Sequence, residues 1–227
     1  MNYFQIVQRV LTELRRPPVA DFVLLVTPDH REILKTINTV NRTTLNQAEF
    51  SVRDRVSTLS IPLELTDPYT VVAKTIKGEV KERGLIIAKQ SLTFQPEIFN
   101  FYTDNVDAGE YGMLDQSFYF KSSTAIRSAT VLYSTINFAK TVGGVDQTEL
   151  TIATDLSIIP DNLVDLLLVY GTCATLADAD DGRLAFWNQQ YAVGLKMLSE
   201  LNKIQDVELS FSVSRKNLDI RRPLTGI

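Results

Sequence analysis

The stretch that decides the fold runs from Ser157 to Leu198 and reads SIIPDNLVDLLLVYGTCATLADADDGRLAFWNQQYAVGLKML. It breaks into two helices. Pro160-Asp161 opens the first, since proline is tolerated in a first turn, where its missing N–H has no partner to lose. Leu163, Leu166, Leu167, Tyr170, Cys173, Ala174 and Ala177 then return at three- and four-residue steps, which is one helix face. Asp178-Ala179-Asp180-Asp181-Gly182 is a tight polar connection whose last aspartate caps the next helix. That helix, from about Asp181 to Ile204, carries two apolar stripes. One is Leu184, Trp187, Tyr191, Leu195, Leu198 and Leu201; the other, about 120° away, is Phe186, Val193, Met197 and Ile204. A helix apolar over so wide an arc packs on two neighbours; the second is either the sheet or another subunit, and Phe186, Val193, Met197 and Ile204 are the candidate subunit interface.

Working outward, two more helices stand at the N-terminus. Phe4, Val7, Val10, Leu11 and Leu14 mark one over Tyr3–Leu14, stopped by Pro17-Pro18. Thr27 as N-cap, Pro28 at the first helical position and Asp29 in the first turn open the other. Its stripe is Ile33, Leu34, Ile37, Val40, Thr44, Leu45 and Ala48, with Arg31, Lys35, Asn38, Arg42 and Asn46 on a solvated face. From about Leu59 to Ile152 the period becomes two. Leu59, Ile61, Leu63 and Leu65 form one alternating run, Ala129, Val131, Tyr133 and Thr135 another, and Leu150 and Ile152 a last short strand. Asp67-Pro68, Lys77-Gly78, Arg83-Gly84 and Gly143-Gly144 read as turns. Past Asp206, Val207, Leu209, Phe211 and Val213 alternate with Glu208, Ser210 and Ser212, which predicts a strand, followed by an irregular basic end.

The expected fold class is therefore α+β. Residues 1–50 and 156–206 form a discontinuous helical bundle from the two chain ends, 51–155 a strand-rich antiparallel insertion, and 207–227 an extended C-terminal arm. A lone strand needs a sheet edge to join. The arm's Arg215, Lys216, Arg221 and Arg222 face a single Asp219, a basic end on a chain of net charge −4.

Chemistry is sparse. The one cysteine allows no internal disulfide, and one histidine excludes most zinc sites. His30 lies in a first helical turn with no G-x-S-x-G nucleophile stretch to serve, so a structural role is expected rather than a hydrolase base. Cys173 sits on a core stripe, where a thiol is inert. Asp178, Asp180 and Asp181 fail the calcium-loop pattern, because Gly182 comes too early and Gln189 stands where the closing glutamate belongs. Gly143-Gly144 lacks the spacing of a dinucleotide loop. Glu79, Lys81, Glu82 and Arg83 read as charges of a hairpin tip. No cofactor, metal or catalytic residue is expected. Half of the aromatic residues fall between Phe94 and Phe138, as core or, in a sharper reading, as a partner surface made of Phe99, Phe101, Tyr102 and Tyr111. The acidic balance argues against gripping nucleic acid. Leu163–Tyr170, broken by Asp165, is too short to span a bilayer, so no membrane is expected. Met1–Gln5 carries no secretory pattern, and synthesis in a reducing cytoplasm is expected.

The order of these pieces resembles the head-to-tail adaptor family of short-tailed phages, the tail tubular protein A type. Pro160, the small residues from Gly171 to Ala177, Asp180-Asp181, Arg183, Trp187, Tyr191 and Leu195 carry the resemblance, together with ILKTINTVNRTTLNQ, Ile33–Gln47. It implies a virion protein of the neck, not an enzyme. Such a protein is a homo-oligomer, a dodecameric ring docked beneath the portal protein and carrying the tail or nozzle protein. DNA passes through the ring without specific binding, and the like charge of an acidic lumen suits that passage. The portal contact is then expected at Arg215, Lys216, Leu218, Ile220, Arg221 and Arg222. Another neck or tail-completion ring is a neighbouring reading. A carbohydrate- or receptor-binding module using the aromatic middle is one of a different class.

Overall fold

Strands fill the middle of the chain: β1 (Asp54–Ser60), β2 (Thr70–Ala73), β3 (Gly78–Ile87), β4 (Gln90–Phe94), β5 (Glu110–Leu114), β6 (Ser117–Phe120) and β7 (Ser128–Thr135). This is a computed structural model. It describes residues 1–47, 51–61, 70–87, 90–95, 109–114, 117–120, 128–179 and 181–218, with the side chains of 70–71, 82, 114 and 202–218 outside the description. The seven strands lie in the order β1-β7-β3-β4-β5-β6-β2 and curl into a nearly closed, barrel-like sheet. All neighbours are antiparallel except β4 and β5, which run parallel through Thr93↔Glu110 and Phe94↔Tyr111. Period-two burial follows the pleat: Phe118 and Phe120 are buried and alternate with half-buried Ser117 and Tyr119. With Leu59, Leu85, Leu92, Tyr111 and Val131 they form the core of this unit, Arg53–Asn137.

Arg83-Gly84 is no turn, and the charges around it no hairpin tip. Both lie inside β3, whose register against β7 shifts between Val80 and Leu85. A Cβ at Gly84 would run into the carbonyl oxygen of Leu132, so only glycine lets the bulged backbone approach β7 this closely. The Tyr111 hydroxyl donates to the bulge carbonyl of Lys81 at 3.0 Å.

The second unit joins Met1–Val52 to Phe138–Ile227. It holds α1 (Tyr3–Glu13), α2 (Pro28–Asn46), α3 (Asp161–Val164) continued through a π turn (Asp165–Val169) into α4 (Tyr170–Leu176), and α5 (Leu184–Leu218). It also holds β8 (Ala139–Lys140), β9 (Asp146–Gln147) and β10 (Leu156–Ser157), ordered β10-β8-β9. Asn2 caps α1 in a capping box with Gln5. Thr27 caps α2 through the His30 amide, with Pro28 in the first turn. Buried Ile6, Val10, Ile33, Ile37, Leu163, Leu167, Cys173, Trp187 and Leu198 share one core.

Polar residues of α2 tie residues 138–157 into this unit. Asn38 is not solvated: its amide donates to Leu150 O at 2.9 Å and its Oδ1 accepts from the Leu150 amide at 2.9 Å. Buried Asn41 donates to Phe138 O at 2.9 Å and accepts from the Ser157 hydroxyl at 2.8 Å. Residues 138–155, assigned to the insertion from sequence, therefore pack with the helices. Leu150 and Ile152 lie in a loop, because the backbone of Leu150 bonds a side chain instead of a strand.

The expected fold class is corrected. The chain is not a helical bundle of its two ends: the middle is the barrel-like sheet, and the helices share their unit with β8–β10. The extended arm is corrected too. Val207–Val213 continues α5 as helix to Leu218. Between Gly194 and Pro223 no glycine or proline breaks the helix. Each added residue keeps an internal hydrogen bond that a lone strand would lack.

Candidate functional site

His30 donates its backbone amide to the Thr27 cap at 3.2 Å, and its Nδ1 is buried with no hydrogen-bond partner. Cys173 is fully buried, and burial pushes its thiol up to about 12. A native sample should therefore leave Cys173 unmodified by a thiol reagent at neutral pH and expose it only on unfolding; rapid native labelling would show that the core around it opens. Asp181 accepts from the Arg183 amide at 2.9 Å and guanidinium at 3.1 Å, and that side-chain bond holds its carboxyl below the usual range. Asp178 is exposed and Asp180 lies outside the described residues. Among the described residues no group of three His, Cys, Asp or Glu could hold a metal ion. Gly143-Gly144 turns the β8–β9 hairpin, with Gly144 at φ +82° and Val142 and Val145 exposed on either side.

Of the aromatic surface suggested by the sequence, only Tyr111 lies among the described residues. Tyr111 is buried among Phe94 and Phe118, with ring centroids 5.4 and 6.1 Å away; Phe99, Phe101 and Tyr102 lie outside the described residues.

What the unit does present is a helix face. One side of α5 is locked inward. The Trp187 indole donates to Glu13 Oε2 at 3.4 Å, the Arg183 guanidinium stacks 4.6 Å from the Trp187 ring centroid, and Tyr191 and Thr44 bond through their hydroxyls at 2.9 Å. These residues thus fasten α5 to α1 and α2, not only to its sequence neighbour α4. Gly194 brings α5 against the π turn: a Cβ there would stand 2.9 Å from Leu166 Cβ. The other side is open. Phe186, Val193 and Met197 are 47%, 42% and 40% exposed, and Phe186 meets only the rim, edge-on to Tyr170 at 5.7 Å. Ile204 lies on the same helix beyond the described side chains. Arg215, Lys216 and Leu218 fall in its last turns, while Ile220, Arg221 and Arg222 lie outside the described residues.

Sequence reasoning missed a cavity of about 330 Å³ lined by Thr39, Thr43, Gln47, Thr175, Asn188 and Tyr191. The spacing of Thr39, Thr43 and Gln47 along one side of α2 was its only signal. Val40, Gly171 and Ala174 complete its lining, which is more apolar than polar.

No family model matches this chain, and no curated protein matches it. Among the described residues no helix is long and apolar enough to cross a membrane.

Proposed function

We propose that the chain is a structural neck protein, a head-to-tail adaptor that assembles as a ring beneath a portal, carries the tail or nozzle on its far side and lets DNA pass. The observation that supports this is the open face of α5. Phe186, Val193 and Met197 stay in water on a helix whose other side is buried in the core at Trp187 and Leu198, and an exposed apolar stripe marks a protein contact. Val23, Leu24 and Val26, exposed in the loop before α2, offer a further apolar surface. A ring needs two different patches per subunit, because each copy must meet its neighbours heterologously. The virion would be its place, after assembly in the host cytoplasm.

The basic end is the proposed portal anchor. Mixed with the portal protein of the same phage, the full chain should form a ring stacked on the portal in electron micrographs. Reversing Arg215, Lys216, Arg221 and Arg222 to glutamate should weaken docking at least tenfold while leaving the melting temperature unchanged. A full chain that does not bind the portal would overturn the adaptor reading. Normal docking by the reversed variant would move the contact to the helical body.

A further inference from the structure

α5 runs as helix for 35 residues, and its sequence changes sides along the way. Up to Leu201 its inner stripe, with Trp187, Tyr191 and Leu198, belongs to the core cluster. Past Leu201 that side reads Asn202, Gln205, Leu209, Ser212 and Lys216, mostly polar. The outer line stays apolar: Ile204, Val207, Phe211 and Leu218 continue Phe186, Val193 and Met197, all on the two seam positions of one heptad frame. Only Gln190, Glu200 and Ser214 interrupt that seam. A heptad stripe held over more than four repeats is the signature of a helix that packs on a helix.

We infer that two copies of the chain pair through this seam, α5 against α5, antiparallel about a two-fold axis between Glu200 and Ile204. In that register Val193 stands opposite the partner's Phe211, Met197 opposite the partner's Val207 and Phe186 opposite the partner's Leu218. Gln190 meets the partner's Ser214, and only at the centre does a polar residue, Glu200, face an apolar one, the partner's Ile204. The partner's Lys203 stands one residue from level with Glu200, beside the seam, and the symmetry repeats that charge match. Parallel pairing in register would instead set Glu200 against the partner's Glu200, like charges in an apolar seam, which is the costlier arrangement. The pair uses up both seams and leaves no free end. It goes beyond the ring reading and describes the chain on its own: a cyclic ring needs heterologous contacts, so the pair must open first, which keeps rings from closing without a portal.

Cysteine cross-linking of the full chain tests the register, since native Cys173 is buried. Positions 193 and 211 are about 27 Å apart on one helix, too far for a bond within a chain. Val193→Cys with Phe211→Cys should give a covalent dimer on mild oxidation, and neither single variant should. Light scattering should give the wild type twice its 25.5 kDa mass. Val193→Asp, at an exposed site, should give a folded monomer whose melting temperature no longer depends on protein concentration, as the wild type's does. A monomeric wild type at tens of micromolar, or covalent dimers from the single variants, would overturn the proposal. A paired wild type that ignores the portal sinks the adaptor reading alone. A monomer that rings on the portal sinks the pairing alone.

Discussion

Replacing Trp187 by alanine should cost the helical unit about 3–5 kcal/mol, the range for emptying a large aromatic site in a core. Trp187 is fully buried, and its loss is more than lost area. Its indole N–H reaches Glu13 Oε2, and its ring carries the Arg183 guanidinium, which in turn donates to the Glu13 carbonyl and to Asp181. Removing the ring leaves Arg183 without its stacking surface at the end of α1. For a chain of this length the melting temperature should fall by roughly 10 °C. Trp187→Phe keeps an aromatic ring but no indole N–H and should fall in between. A circular-dichroism melt of the alanine variant within a degree or two of wild type would mean that α5 is fastened elsewhere.

That anchor was legible in the sequence as a stripe, but its partners were not. Thr27-Pro28 announced α2 because capping is local chemistry, complete within one turn. Glu13 and Thr44, which hold Trp187 and Tyr191, lie far away in the chain, and no periodicity carries such a pairing. Asn38 shows the same limit. By spacing it belongs with Arg31 and Arg42 on a wet face, yet its amide is spent on Leu150. That bond, with those of Asn41, draws residues 138–157 away from the middle sheet. Val207–Val213 failed for another reason. Alternation over seven residues also fits a helix, since Val207 and Phe211 are four apart. Arg83-Gly84 failed because a glycine signals a bulge as readily as a turn. The open face of α5 was legible as a second stripe; its extension past Leu201 was hidden by the strand expectation.

Asp155→Ala should be comparably damaging, about 3–5 kcal/mol, because it removes a charged acceptor that takes three hydrogen bonds, each such bond contributing about 1.5–3 kcal/mol. Asp155 is fully buried. One carboxylate oxygen accepts from the Thr151 amide at 2.7 Å, the Ile152 amide at 2.8 Å and the Thr151 hydroxyl at 2.9 Å. The Asp155 carbonyl accepts the Tyr3 amide at 2.7 Å, so the loop it folds also seats the start of α1. Burial pushes this carboxyl up, but the bonds from Ile152 and Thr151 outweigh it and hold it below the ordinary carboxylate value. A depressed folded value means that the unfolded chain takes up the proton first. The contribution is therefore complete above the unfolded value of about 3.9 and is lost as pH falls through the folded one. Asp155→Asn keeps the shape and one acceptor but loses the charge, so it should be less stable than wild type at pH 7. The gap between the two should close as pH falls below about 4. Other carboxylates titrate in both proteins and cancel in the difference. Denaturant melts of both proteins across that range would decide it. A gap that stays constant down to the acid limit would show that Asp155 works by shape, and that its charge contributes nothing to holding the loop.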